Sequence, residues 1–73
     1  MNNSTRRLLE KYIKQQEIIL EADIYNYDKD YKNHHINIAR GYRLALESKL
    51  GNKTSEAIQS YRYNNLMSEN SAS

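Results

Sequence analysis

Residues 8–27 read LLEKYIKQQEIILEADIYNY, a stretch with neither glycine nor proline. Wound at about 100° per residue, it brings Leu9, Ile13, Leu20, Ile24 and Tyr27, with Tyr31 beyond, into a band roughly 60° wide. Leu8, Tyr12 and Ile19 flank that band. Glu10, Lys11, Lys14, Glu17 and Glu21 lie opposite, where Glu10 and Lys14 form an i,i+4 pair worth about 0.2–0.5 kcal/mol. The pattern predicts one amphipathic helix over about residues 5–30. Ile18, Ala22 and Tyr25 fall among the charges, whereas Gln16 and Asp23 fall inside the stripe. Scattered apolar residues are ordinary on a soluble surface. The alternative is that Ile18 and Tyr25 form a second contact face, for a dimer mate or a target.

The helix is expected to end within residues 28–33, where Asp28, Lys29, Asp30 and Asn33 gather, leaving Asn33 to cap the next element. Asp28 and Asp30 occupy the first two ligand positions of a calcium loop. That loop also wants Asp or Asn at 32, Gly at 33 and Glu at 39, and the chain has Lys32, Asn33 and Ala39. A second helix is expected over residues 34–50, with Ile38, Ala39, Tyr42, Ala45, Leu46 and Leu50 on one face. Gly41 in its middle costs about 1 kcal/mol against Ala; it is either tolerated or lets another helix approach closely. Gly51 is a strong stop signal. A third, shorter helix over residues 55–66 would present Ala57, Ile58 and Tyr61 on one face. Residues 1–67 then form one domain, and residues 68–73 a disordered tail.

The fold class these elements imply is all-α: an antiparallel hairpin of the first two helices plus a short third helix. Its predicted core and dimer residues are Leu9, Ile13, Leu20, Ile24, Tyr27, Ile38, Tyr42 and Leu46. A chain of 73 residues with no Trp, Phe or Cys is thinly supplied with core. It buries only about 60% of what its unfolded form exposes. With neither disulfide nor metal to staple it, self-association is the simplest stabiliser. A homodimer is expected, two hairpins meeting in a coiled-coil-like four-helix bundle.

The chemistry of an enzyme is missing. His34 and His35 are adjacent, so on a helix they diverge by about 100°, whereas zinc ligands pair at i,i+3 or i,i+4; cap or surface roles suit them. No serine is tied to a histidine, and no glycine loop cradles phosphate. No catalytic residue, metal or cofactor is expected. Nor does the sequence hold the apolar run of a membrane span or the apolar core of a signal peptide, which predicts a cytoplasmic protein.

Two binding functions remain. Residues 44–64 have the outline of a helix-turn-helix in which Lys53, Gln59 and Arg62 would touch nucleic acid. Glu47 and Ala57 stand where that motif wants a small and a larger apolar residue. The net charge is only +2, and no block of the chain is strongly basic. Binding to another protein fits better. Tyrosine combines contact area with a polar tip, and the candidate partner-binding residues are Ile18, Tyr25, Tyr61 and Tyr63.

The segment Ala39-Arg40-Gly41-Tyr42-Arg43-Leu44-Ala45-Leu46-Glu47 resembles the G-Y-x-x-A-L helices of small uncharacterised proteins of bacteriophages and mobile elements. The Asn-, Lys-, Ile- and Tyr-rich composition is similar to such proteins of low-GC bacteria. The resemblance implies a small regulator or inhibitor that binds a host protein, and carries over no functional residue.

Overall fold

The computed structural model describes the backbone of residues 3–72 and the side chains of residues 3–64. Three helices follow one another: α1 (Asn3–Ile24), α2 (Lys29–Leu50) and α3 (Thr54–Ala72). No strand occurs among the described residues, and among them no helix is long and apolar enough to cross a membrane. The fold is all-α, with α1 and α2 packed as a hairpin. Three side-chain contacts between them fix its direction: Asp23 with Lys32, Gln15 with His35, and Tyr12 with Arg43. As the α1 partner moves back toward the N-terminus, the α2 partner moves forward, which is the antiparallel arrangement.

The reversal between them comes earlier than the apolar pattern predicts. Asn26 takes a left-handed conformation, φ 59°. The Tyr25 N–H donates to the Glu21 carbonyl at 2.9 Å, and the Tyr27 N–H to the Ala22 carbonyl at 3.0 Å. A left-handed residue followed by a bond reaching back five positions is the Schellman stop, which Asn accepts more readily than other non-glycine residues. Asp28 is extended, and its carbonyl accepts from the Lys32 N–H at 3.1 Å. Hence α1 ends at Ile24 rather than near residue 30, and α2 starts at Lys29 rather than at residue 34, with Asn33 inside it. Tyr27 belongs to the turn and Tyr31 to α2. At the other end Asn3 and Ser4 lie within α1.

The second stop falls where Gly51 predicts it. Gly51 has φ 60° and ψ −131°, a conformation essentially confined to glycine, and its N–H donates to the Glu47 carbonyl. One 3-10 turn, Gly51–Lys53, leads into α3. The Thr54 hydroxyl, buried at the joint, donates to the Gly51 carbonyl at 2.7 Å. α3 runs to Ala72, past the expected end at Leu66 and through most of the 68–73 segment expected to be disordered; Ser73 lies outside the described residues.

The core gathers Leu9, Tyr12 and Ile13 of α1, Ala39 and Leu46 of α2 and Ile58 of α3, with Tyr42, Leu50, Ala57 and Tyr61 packed around it. Leu9 and Leu46 are fully buried, worth about 2–3 kcal/mol each. Ile38 and Tyr42 are half-buried. This core lies toward the open end of the hairpin, where α3 meets it. Toward the turn, Leu20, Ile24 and Tyr27, predicted to be core, are exposed. Ala22, predicted among the charges, is buried. The reason is that α2 does not lie on the centre of the α1 stripe. It lies along the Tyr12–Gln16–Ile19 flank, which shares a cleft with Ile36, Ala39, Arg40 and Arg43. Ile58 of α3 joins Leu9 and Ile13 of the stripe in the core, while Leu20 and Ile24 stay exposed.

Candidate interaction surface

The Schellman stop and the immediate restart of α2 compress Tyr25, Tyr27 and Tyr31 into one aromatic array at the hairpin turn. The Tyr25 and Tyr27 rings stack at 6.1 Å between centroids, and Tyr27 meets Tyr31 edge-on at 5.6 Å. Tyr31 rests on the His35 ring at 4.7 Å, one helical turn along α2. All three tyrosines are exposed, as are Leu20 and Ile24 on the adjoining turns of α1. Formal charge at this end is slightly acidic: Asp23, Asp28 and Asp30 stand against Lys29 and Lys32, and Lys32 is paired with Asp23. The surface therefore offers aromatic and aliphatic area with a slight negative excess rather than a basic field.

Of the predicted partner-binding residues, Tyr25 is 64% exposed and belongs to this array. Ile18 is half-buried and is not part of it. Tyr61 and Tyr63 separate, since neighbours two apart on a helix diverge by about 200°. Tyr61 is half-buried against the core, while Tyr63 stays exposed on α3. The predicted nucleic-acid residues Lys53, Gln59 and Arg62 are exposed, with Gln59 and Arg62 three apart on α3 and so neighbours on one helix face. Lys53 sits in the 3-10 turn, and Arg62 lines a groove against α1 with Gln16, Ile19, Leu20 and Asp23.

A polar tie joins all three helices toward the open end of the hairpin. The Tyr12 hydroxyl accepts from Gln16 Nε2 at 2.8 Å and from Arg43 Nη1 at 3.3 Å, and Arg43 Nη2 donates to Ser55 Oγ at 3.2 Å. Arg43 also pairs with Glu47, four residues on, at 3.5 Å. The Tyr12 hydroxyl, followed by Glu47, favours the charged guanidinium and raises its pKa further above the ordinary arginine value. Gln16 Oε1 is buried and finds no hydrogen-bond partner among the described residues. Glu10 pairs with Arg6 at 3.7 Å, both exposed.

His35 is half-buried, and its Nδ1 lies 2.6 Å from Gln15 Oε1, so the protonated nitrogen donates to the amide oxygen and ties α2 to α1. His34 is exposed beside it. Among the described residues no group of His, Asp and Glu is arranged to hold a metal ion. A Cβ added at Gly41 would meet nothing within 4 Å, so no other helix of the chain closes on it. Leu44, which periodicity left unremarked, is 61% exposed.

In comparison with known proteins, the chain matches no protein family, no curated protein and no solved structure.

Proposed function

We propose that this chain is a small non-enzymatic interaction protein that binds and modulates another protein, using the tyrosines of its hairpin turn. The supporting observation is that Tyr25, Tyr27 and Tyr31 are held together and exposed at the turn. Aromatic residues dominate the energetics of protein interfaces when a partner desolvates them, and Tyr loses little entropy on being fixed. A short turn closed by main-chain hydrogen bonds presents them on a rigid mount. In keeping with the resemblance of residues 39–47, the partner is a host factor met in the cytoplasm, and the chain acts as its regulator or inhibitor.

The test is affinity capture from host lysate with immobilised protein, its Tyr25→Ser/Tyr31→Ser variant and a Leu44→Ser control. The expected result is a captured protein that is lost with the double variant and kept with the control, at equal helicity by circular dichroism. Capture indifferent to both tyrosines would sink the reading. Titration with generic duplex DNA tests the nucleic-acid alternative. Micromolar binding that falls steeply with salt, and that is weakened by Lys53→Ala and Arg62→Ala, would favour it.

A further inference from the structure

The tyrosine turn is the acidic end of a basic chain. Residues 21–32 carry four carboxylates, Glu21, Asp23, Asp28 and Asp30, against the two ammonium groups of Lys29 and Lys32, a net charge of −2. The whole chain is +2, so everything outside that segment carries +4. Within the turn Lys32 is taken up by Asp23. Glu21, Asp28 and Asp30 are left against Lys29, and all four are exposed.

Asp28 is the N-cap of α2, a position at which an aspartate ordinarily turns its carboxylate back onto the first free N–H groups of the helix. Its side chain makes no such bond here. Asp30, in the first turn of α2, is likewise in none of the ion pairs among the described residues. Two carboxylates thus flank the array in water, one following Tyr27 and one preceding Tyr31, with no task inside the fold. The planes of the Tyr27 and Tyr31 rings form a corner of 86°, and Tyr25 stacks on Tyr27. The face of a tyrosine ring is the negative pole of its quadrupole and attracts cations. Ring faces and carboxylates therefore call for the same charge.

On the reading of this turn as the partner-binding site, we infer that its occupant is an arginine-bearing basic segment of the partner protein. A planar guanidinium lies on a ring face and gives paired hydrogen bonds to a carboxylate. A lysine ammonium is compact and strongly hydrated, and does both less well. Exposed Leu20 and Ile24 on the adjoining turns of α1 provide a seat for an apolar residue beside the arginine. The same carboxylates repel polyanions.

The probe is the end-blocked pentapeptide Gly-Arg-Leu-Arg-Gly, titrated to millimolar concentration while the tyrosine ring signals are followed by NMR. Saturable shifts of Tyr25, Tyr27 and Tyr31 are expected, with Tyr42 and Tyr61 unmoved. The lysine analogue should bind about threefold or more weakly, and the citrulline analogue, of the same shape without the charge, should not bind. Asp28→Asn/Asp30→Asn and, separately, Tyr27→Leu/Tyr31→Leu should each weaken the arginine peptide by about fivefold or more. Glu10→Gln/Glu56→Gln makes the same change of net charge away from the turn and should leave binding as it was. Circular dichroism checks that helicity is equal throughout. Unmoved tyrosine signals, a citrulline peptide that binds as tightly as the arginine one, or turn carboxylates no more important than the remote pair would each overturn the proposal. Spermidine bound as tightly as the peptide would also overturn it, in favour of a free polyamine. If the peptide fails while lysate capture still depends on Tyr25 and Tyr31, the basic segment falls and the partner site stands. Peptide binding with capture indifferent to both tyrosines would instead bring down the partner-binding reading on which the proposal rests.

Discussion

The Tyr12 hydroxyl takes hydrogen bonds from Gln16 and from Arg43, so it stands where α1, α2 and, through Ser55, α3 are tied together. Tyr12→Phe keeps the ring in the core and takes the acceptor from two donors, both on half-buried residues. The expected loss is about 1–2 kcal/mol in urea unfolding, with an unchanged slope. Gly41 is the opposite case. It is exposed in mid-helix with open space where a Cβ would sit, so Gly41→Ala should raise stability by about 0.5–1 kcal/mol. A stabilised variant that captures its partner as before would show that nothing docks closely on that face; a stabilised variant that fails to capture it would place the partner against Gly41.

Among the elements, what could be read from the sequence depended on whether a stop signal agreed with the apolar period. Gly51 interrupts both the pattern and the backbone, so the end of α2 was legible. At Asn26 the two disagree: Tyr27 and Tyr31 continue the α1 band through the turn, and the apparent helix runs on past the real one. Asn26 and Asp28 carry the signal for a stop and a restart, but each is weaker alone than a glycine. The hairpin and half of the core, Leu9, Ile13 and Leu46, could be seen from periodicity. Which part of the α1 stripe stays open could not, because a stripe records which residues gain from cover and not how far a neighbour reaches. Ala22 was misplaced because a small side chain gives little hydrophobic signal. Docking of α3 rests on Ile58, its one fully described buried apolar side chain. Ile58→Ala should cost about 2–4 kcal/mol. By hydrogen exchange, α3 amides should lose protection well before those at the centres of α1 and α2.

For the whole molecule, the short joints matter as much as the contacts. Residues 25–28 carry α1 into α2, and Gly51–Lys53 carry α2 into α3. The main packing, α1 against α2, therefore joins helices that follow one another closely along the chain, and little loop must be closed before it repays the loss of freedom. Topologies of this kind acquire their native form in microseconds to milliseconds. Temperature-jump relaxation should fall in that range, and a phase lasting seconds would contradict it. With no proline in the sequence, no slow isomer awaits correction. A cell making this chain in a hurry would have it in working shape almost as soon as its last residue was added.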